Sequence, residues 1–335
     1  MVSSRFALVV VALAYGASTL ADVPVNVRNF PQAETETYLK VIVAQGALGL
    51  ITHERELALI DSQNVVQMNR DTLYSSGVFD LTQPVTIEAR NNDGRFQSFL
   101  IISQENFVKG VEYSPATITL TQDDIGSRYV AVLVRTLVDI DDPEDIENAH
   151  AAQDTISVNQ VSEGSLELTS WDPVSLNDLR SKLKALAKYE PDTVGRFEDE
   201  DEIDPVNFLI GTAIGWGGNP RSDAVYFPWV PEQNDGKQAF TMTMKDVPVD
   251  GFWSLSVYNE QGYFVENEFN AYSINSMTAK ENEDGTVVIH FGGSPDSPNY
   301  LFLPEGWKYL MRLYRPSQEI VDGSWDIPEL VPVGN

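Results

Sequence analysis

One stretch of the sequence, residues 67–81, contains polar side chains inside a run of residues that favour burial. Asn69, Arg70, Asp71 and Tyr74 stand among leucine, valine, methionine and phenylalanine residues. A buried donor or acceptor without a partner costs about 1–3 kcal/mol, so each of these groups needs a hydrogen bond. Two interpretations follow. Either Arg70 and Asp71 satisfy each other inside the core as a structural clamp, or they face a cleft and bind a ligand.

A second stretch, residues 215–223, has the sequence Gly-Trp-Gly-Gly-Asn-Pro-Arg-Ser-Asp. Its glycines allow the backbone to approach a ligand closely, and Trp216 offers a flat surface for stacking. Asn219, Arg221 and Asp223 supply hydrogen-bonding groups. This combination is typical of a binding site for a sugar or another flat polar ligand. The alternative is a tight loop between domains in which the tryptophan is simply buried.

Catalysis by these residues would have to use carboxyl groups. Asp71 and Asp223 are the candidates for acid and base in a hydrolytic reaction, with Arg70 orienting the substrate. The chain has no cysteine, which excludes thiol catalysis, and it has three histidines. Among them His53, which lies two residues before Arg55, is the candidate for ligand binding. The sequence has no zinc, phosphate-loop or dinucleotide-binding signature.

An acidic run at 139–147 has a metal-binding and a structural interpretation. Asp139, Asp141, Asp142 and Asp145 offer several oxygen ligands at a spacing that would suit calcium. The run lacks the central glycine and the terminal glutamate of an EF-hand loop. Acidic residues are also favoured at the N-terminus of a helix, where they interact with the helix dipole, and this capping role is our preferred interpretation.

Near the C-terminus, Arg312, Tyr314 and Arg315 lie close to the end of a predicted strand. They could bind a carboxylate of a ligand or pair with acidic residues of the protein itself. Because the chain has 50 Asp and Glu residues against 22 Lys and Arg residues, internal pairing is the preferred interpretation.

The elements that must position these residues are mostly short strands. Runs rich in β-branched and aromatic residues occur in both halves of the chain, and strands are predicted at 65–69 and 263–265 among others. Amphipathic helices are predicted within 33–50 and 175–190, and a helix opened by acidic residues begins near Pro143.

The chain is longer than one hydrophobic core usually supports, which predicts two domains. We place an N-terminal domain at 22–160, a helical and acidic connector at 161–210, and a C-terminal domain at 211–335. Short strands separated by turn residues are typical of antiparallel sandwiches and barrels. The predicted fold class is therefore mainly β with flanking helices, arranged as two β-sandwich or jelly-roll-like domains.

The first 21 residues have the features of a signal peptide. Arg5 provides the positive charge, residues 6–14 form a short apolar core, and small residues at 17–21 precede Asp22. We therefore expect a secreted or periplasmic protein, without membrane insertion once this segment is removed. The net charge of −28 argues against nucleic-acid partners and suits a neutral or cationic partner.

Several motifs resemble two families of uncharacterised function. Met68-Asn-Arg-Asp-Thr-Leu-Tyr-Ser-Ser-Gly-Val-Phe-Asp80 and Arg135-Thr-Leu-Val-Asp139 resemble the DUF1254 domain. Ile210-Gly-Thr-Ala-Ile-Gly-Trp-Gly-Gly-Asn-Pro220 and Arg312-Leu-Tyr-Arg-Pro316 resemble the DUF1214 domain. The resemblance extends over nearly the whole chain after the signal peptide. It implies a secreted or periplasmic two-domain protein dominated by β-sandwich or jelly-roll elements, and it supplies no settled activity.

Two functional hypotheses remain open. The leading one is an exported protein that binds a small polar or carbohydrate-like ligand in a cleft between its domains, with hydrolysis as an extension. The alternative is a non-enzymatic structural or surface-assembly protein whose motifs are packing clamps. If Arg70 and Asp71 open to a concave pocket, the first hypothesis gains support. If they are sealed inside the core, the second does.

Overall fold

The chain is described by a computed structural model over residues 22–57, 59–63, 66–90, 93–190 and 193–334. The predicted signal peptide at 1–21 lies outside the described residues. Strand accounts for 29% and helix for 22% of the structure, and none of the four sheets formed by these residues is closed into a barrel. The sheets agree with the predicted fold class, whereas the helical share is larger than a mainly β chain implies.

The N-terminal half contains two sheets that share one core. Its strands are β1 (Thr52–His53), β2 (Thr72–Asp80), β3 (Val85–Ala89), β4 (Gln97–Ser103), β5 (Val108–Tyr113), β6 (Ala116–Leu120), β7 (Tyr129–Leu137) and β8 (Ser157–Gln160). A five-stranded sheet has the order β1-β2-β7-β4-β5, and a three-stranded sheet has the order β6-β3-β8. Phe79, Phe99 and Val132 of the first sheet belong to the same core as Ile87 and Ile118 of the second. The two sheets therefore bury a common apolar layer.

The C-terminal half is also built from two sheets around one core. Its strands are β9 (Ala224–Trp229), β10 (Phe240–Met244), β11 (Trp253–Tyr258), β12 (Ser273–Asn275), β13 (Val287–Phe291), β14 (Tyr300–Leu301), β15 (Lys308–Tyr314) and β16 (Leu330–Pro332). The two four-stranded sheets have the orders β14-β13-β10-β16 and β12-β11-β15-β9. Met242 and Ile289 of the first join Leu255, Met311 and Leu313 of the second in the core. The opposite face of β9 and β15 is left to contact the N-terminal half.

Three of the helices begin at an Asp-Pro sequence. The helices are α1 (Phe30–Ala44), α2 (Gln122–Ile125), α3 (Pro143–Asp154), α4 (Pro173–Leu186), α5 (Pro205–Gly215) and α6 (Gln318–Val321), with short 3-10 turns at Ile60–Ser62 and Ala187–Tyr189. Asp142, Asp172 and Asp204 accept hydrogen bonds from backbone N–H groups in the first turns of α3, α4 and α5. Proline fits the first helical position because its missing N–H would have no partner there. The local sequence thus determines where these helices begin.

Helix α1 covers one face of the five-stranded sheet. Leu39 of α1 packs with Val78 of β2 and Leu100 of β4 in a second core. Helices α4 and α5 pack on α1 through a further cluster that includes Leu183 and Ala213. The helices therefore form a layer on the sheet, and the end of α5 is brought close to the C-terminal half.

The predicted connector, 161–210, contains α4 and most of α5. Helix α5 continues past the predicted boundary at residue 210, so this helix belongs to both predicted segments. The acidic stretch at 198–204 leads directly into α5. Within the described parts of the chain, no helix has the length and apolar character that a membrane span requires.

Two of the predicted strands are wrong. Residues 66–69 form a turn in which Gln67 has a positive φ of 50°, and residue 65 lies outside the described residues. Residues 263–265 are irregular. The N–H of Gln67 donates to the carbonyl of Gly262 (2.7 Å), so this backbone is paired with the opposite half of the chain and not with a neighbouring strand.

Asp80, at the end of β2, is a buried carboxylate that the fold keeps ionised. It accepts hydrogen bonds from Nη2 of Arg128 (2.8 Å) and from the N–H groups of Thr82 and Ser165, both at 3.1 Å. Burial alone would raise the pKa of Asp80. The hydrogen bonds from Arg128, Ser165 and Thr82 outweigh burial and hold that pKa far below its usual range.

We expect acid to remove the stability that Asp80 contributes. Because its pKa is lower in the folded state than in the unfolded chain, the contribution is complete above about pH 4 and is lost as the pH falls towards the folded-state pKa. Asp80→Asn should lower the free energy of unfolding by about 1–3 kcal/mol at neutral pH and by less in strong acid. Chemical denaturation at both pH values measures this effect. The exposed Asp201→Asn serves as the control, and an equal loss at both pH values would contradict the expectation.

Candidate functional site

A cavity of about 430 Å³ lies between the two halves of the chain. Its lining comes from β2, β7 and the loop before β2, from the end of α5 with the residues around it, and from β9 and β15. The volume suits a small molecule, since ligand pockets usually measure about 300–1,000 Å³. Both stretches singled out in the sequence contribute to this lining.

The halves are held together through the crossover segment, residues 66–71, which precedes β2. Arg312 of β15 donates from Nη2 to the carbonyl of Gln67 (2.7 Å), and the hydroxyl of Tyr258 donates to the carbonyl of Met68 (2.8 Å). Arg312 also donates to the hydroxyl of Tyr258 (2.8 Å). Both side chains are buried, and they satisfy two backbone carbonyls that no strand pairing satisfies. The C-terminal half therefore fixes the position of the crossover segment.

Each half contributes one arginine and one tyrosine from directly opposite positions on neighbouring strands. Arg135 of β7 is paired with Tyr74 of β2, and Arg312 of β15 is paired with Tyr226 of β9. Side chains at opposite positions of an antiparallel pair lie on the same face of the sheet. All four side chains line the cavity. Strand pairing thus places two guanidinium groups and two phenol rings in its wall.

Neutral groups hold Arg135 at the cavity. Its Nη1 donates to Oδ1 of Asn219 (2.9 Å), and its Nη2 donates to the carbonyl of Gly217 (2.6 Å). The guanidinium also lies over the ring of Tyr74, 5.7 Å from the ring centroid. Arg135 is only 6% exposed. The cation–π contact and the neutral acceptors offset part of the cost of burying this charge.

Asn219, a residue of the cavity lining, has a buried amide donor without a partner. Its Oδ1 accepts from Arg135, which can only donate, so the amide nitrogen must point away from that guanidinium. Asn219 is 2% exposed, and its Nδ2 has no hydrogen-bond partner within the described chain. An unpaired buried donor costs about 1–3 kcal/mol. A polar ligand group within hydrogen-bonding distance of this nitrogen would remove this cost.

The phenols of Tyr226 and Tyr314 are further hydrogen-bonding groups of the lining. Burial raises the pKa of both residues, so both hydroxyls stay protonated at neutral pH. The hydroxyl of Tyr226 accepts from the N–H of Asn219 (3.4 Å), and that of Tyr314 accepts from Nδ2 of Asn69 (3.3 Å). Since each hydroxyl acts as an acceptor in these contacts, its own proton can be donated elsewhere.

The remaining lining offers flat and apolar surfaces. Trp216 stacks on Tyr38 of α1 with the ring centroids 4.3 Å apart and the planes 4° from parallel. The indole Nε1 donates to Oγ1 of Thr35 (3.1 Å), which fixes the orientation of the ring. Phe197 and Leu310 add apolar surface to the cavity. These surfaces suit a planar or apolar ligand body.

The structure brings five of the predicted site residues to the cavity and leaves four elsewhere. The residues that line it are Asn69, Tyr74, Trp216, Asn219 and Arg221. The residues outside the lining are His53, Arg70, Asp71 and Asp223. Most of the candidate binding residues therefore converge, whereas neither candidate catalytic carboxylate is part of the lining. The chemical roles assigned to all nine stay predictions.

Asp71 is sealed in the contact between the halves. It is 1% exposed, and its Oδ1 accepts from Nδ2 of Asn275 in β12 (3.1 Å). Burial raises the pKa of Asp71, and the positive charge of Arg312 opposes part of that rise. The guanidinium of Arg70 is half-buried and lies over the ring of Tyr272, 5.5 Å from its centroid. Asp71 thus links the crossover segment to the C-terminal half, with an asparagine as its hydrogen-bond donor.

Asp223 and His53 also have protein partners away from the cavity. Asp223 accepts hydrogen bonds from the hydroxyls of Tyr113 and Ser222, both at 2.7 Å. Nδ1 of His53 lies 2.8 Å from Oγ of Ser75, and burial lowers the pKa of this imidazole. These contacts stabilise the local structure.

The acidic run at 139–147 opens α3. Asp142 caps the helix by accepting a hydrogen bond from a backbone N–H of its first turn. The carboxylate of Asp145 accepts from Arg95 (2.8 Å) and from the N–H of Asp139 (2.7 Å). In the part of the chain that the structure describes, no three acidic or histidine side chains are grouped as metal ligands would be. The geometry matches the capping interpretation of this run.

Sequence reasoning missed several charged or hydroxyl-bearing residues of the lining, among them Tyr38, Arg135, Arg196 and Tyr226. The signal for Arg135 was available, because an arginine inside the otherwise apolar run Tyr129–Leu137 must be buried with a partner. Internal pairing with acids was the preferred interpretation of Arg312, yet its hydrogen bonds go to neutral oxygens.

Comparison with known families concerns the C-terminal half. A model of a family described as "Protein of unknown function (DUF1214)" matches residues 230–318. We call the matched residues 230–318 the DUF1214 segment. This DUF1214 segment includes strands β10 to β15 and contributes Arg312 and Tyr314 to the cavity lining. The resemblance of the N-terminal half to the DUF1254 domain stays a prediction. No curated protein matches the chain.

Two solved structures resemble this chain over most of its length, including the DUF1214 segment. The VPA0106 protein from Vibrio parahaemolyticus has a TM-score of 0.68 at 18% sequence identity, covering 92% of this chain and 98% of its own. An uncharacterized protein from Burkholderia cenocepacia has a TM-score of 0.51 at 14% identity, covering 90% of this chain and 86% of its own. At such identities the likeness concerns the fold alone.

Replacing Asp71 is expected to destabilise the protein. Asp71→Ala leaves Nδ2 of Asn275 without its acceptor and removes a negative charge near buried Arg312, so we expect a loss of about 2–4 kcal/mol. Asp223→Ala, a matched change at a half-buried aspartate, should cost about 1 kcal/mol. Urea denaturation of both variants measures the difference. Equal losses, or an unchanged stability for Asp71→Ala, would argue against a role of Asp71 in joining the halves.

Proposed function

We propose that this protein binds a small polar ligand in the cavity between its halves. The observation that carries the proposal is the convergence of two stretches that are far apart in the sequence. Asn69 and Tyr74 from the first, and Trp216, Asn219 and Arg221 from the second, line the same cavity. A concave, mostly preformed site with a few convergent polar groups is what a ligand pocket requires.

The chemistry of the lining favours binding over hydrolysis. Stacking on Trp216 and Tyr38 would hold a flat ligand, and the free donor of Asn219 would fix its orientation. Hydrolysis of a glycosidic bond by the usual route needs two carboxyl groups that flank it. Glu198 is the one carboxylate of the described lining, so we do not extend the proposal to a reaction.

Export of the protein is part of the same proposal. It rests on the sequence features of residues 1–21 and on the absence of cysteine in a chain large enough to be stable without disulfides. A binding protein outside the cytoplasm would meet small sugars or organic acids directly.

The structural hypothesis is favoured for one part of the chain. The sealed contact between Asp71 and Asn275 and the docking of the crossover segment by Arg312 support a clamp role for residues 66–71. We propose that this clamp and the binding site lie side by side and have separate roles. The clamp holds the halves together, and the space between them receives the ligand.

A screen by thermal shift tests the proposal. A ligand that binds the native state stabilises it by mass action, by about 2.7 kcal/mol at a concentration of 100 times its dissociation constant. We expect a member of a panel of sugars, sugar acids and organic acids to raise the melting temperature, and we expect Trp216→Phe to reduce that rise. Trp229, which is 56% exposed and outside the cavity lining, provides the matched control Trp229→Phe. A panel without effect, or an equal rise in both variants, would refute the proposed site.

A further inference from the structure

We infer that the ligand of this cavity is a small organic anion, a carboxylate on a flat or apolar body, and that Arg135 and Asn219 hold the carboxylate. The inference rests on the proposed function and specifies the class of ligand. It is carried by three observations on the described residues: the charge of the lining, the absence of an acidic partner for Arg135 and Arg312, and the unpaired amide donor of Asn219.

The charge balance of the cavity is the reverse of that of the chain. The chain has 50 acidic against 22 basic residues. The described lining has a single carboxylate, Glu198, and its cationic side chains are Arg135, Lys184, Arg196, Arg221 and Arg312. A positive cavity in so acidic a protein would attract an anion at short range. The overall negative charge acts at longer range, where salt screens it within about 10 Å at 0.1 M ionic strength.

Two arginines away from the cavity illustrate pairing with acids. Arg95, which is 4% exposed at its side chain, lies 2.8 Å from Asp145, and Arg180 forms an ion pair with Glu34 (2.5 Å). This fold therefore does pair arginines of low exposure with carboxylates. The absence of such an ion pair at the cavity needs an explanation, because a buried charge without a counter-charge is costly.

Two buried arginines of the cavity, Arg135 and Arg312, have no such partner among the described residues. Arg135 donates to Asn219 and to the carbonyl of Gly217, and Arg312 donates to neutral oxygens only. Asp71 is the carboxylate that acts on Arg312 most strongly, and the two do not form an ion pair. Of the two, Arg135 is the better candidate for ligand binding, since Arg312 already binds the crossover segment.

The donors around Arg135 match a carboxylate in number and kind. A guanidinium has five N–H donors, and two of those of Arg135 are used by Asn219 and Gly217. The side-chain amide of Asn219 binds Arg135 through its Oδ1, and its unpaired Nδ2 is therefore close to the guanidinium. Planar donors of this kind bind carboxylates with good geometry. The hydroxyl of Tyr226, which accepts from the N–H of Asn219, adds a further donor nearby.

The body of the ligand would occupy the rest of the cavity. Trp216, Phe197 and Leu310 offer stacking and apolar contact there, with Tyr38 behind the indole. A compact anion with a ring matches this combination, because it places one charged group at Arg135 and an aromatic or apolar body against Trp216 and Phe197. We therefore choose carboxylates with a ring as probes.

Two matched pairs of probes test the inference by isothermal titration calorimetry on the full mature chain. D-glucuronate is compared with D-glucose, and phenylacetate is compared with phenylacetamide. Within at least one pair, we expect the acid to bind about tenfold more tightly than its neutral analogue, because the neutral member cannot form charge-assisted hydrogen bonds with Arg135. The pairs keep the body constant, so the comparison isolates the carboxylate.

A substitution that keeps the shape of Asn219 tests the position of the carboxylate. Asn219→Asp replaces the free donor by an oxygen and gives Arg135 an internal counter-charge. We expect an unchanged or higher melting temperature together with a loss of acid binding of about tenfold or more, while any binding of the neutral probes persists. Asn159→Asp adds the same charge at an exposed position of β8 and should leave all binding unchanged.

The outcomes separate the inference from the proposed function. Equal affinity for acid and neutral probe would overturn the inference and leave ligand binding in place. Acid binding that survives Asn219→Asp at full strength would overturn the assigned position. Binding of none of the four probes at millimolar concentration would overturn the inference, and the broader thermal-shift panel then decides the proposed function independently.

Discussion

The structure depends on the docking of the crossover segment, residues 66–71, into the C-terminal half. Two successive carbonyls, those of Gln67 and Met68, accept hydrogen bonds from the buried side chains of Arg312 and Tyr258. If the halves separated, these peptide groups and a buried guanidinium would all lose their partners at once. The same contacts set the spacing between β2 and β15, and the space that their side chains do not fill is the cavity.

Local patterns were sufficient to predict much of the fold. The β-rich runs of β2 and β7 and the acidic start of α3 depend on residues close in sequence. The helix predicted within 175–190 begins slightly earlier, at Pro173 after Asp172, and α5 was not predicted. The prediction failed at 65–69, because the group that decides the conformation there is the carbonyl of Gly262 in the other half. Strand β9 was also not predicted. It contains Pro228 and lies at the edge of its sheet, where proline is tolerated but hides the pattern.

The site was predictable where a polar or aromatic residue is conspicuous in its surroundings. Asn69 and Tyr74 stand in an apolar run, and Trp216 stands among glycines, and all three line the cavity. Asp71 is equally conspicuous but packs against Asn275, and only the tertiary structure decides between the two directions. Arg135 becomes significant once the fold shows that no acid among the described residues forms an ion pair with it. The lack of an acidic partner depends on which residues the fold brings near Arg135, and a sequence pattern does not show this.

A crystal structure of the protein grown with D-glucuronate or phenylacetate would test the account most directly. The account predicts an open cavity between the halves, with an oxygen of the ligand about 3 Å from Nδ2 of Asn219 and the carboxylate against Arg135. It also predicts that Arg312 remains bound to the crossover segment. A cavity closed by protein side chains, with Nδ2 of Asn219 bonded to another residue and the ligand elsewhere, would contradict it.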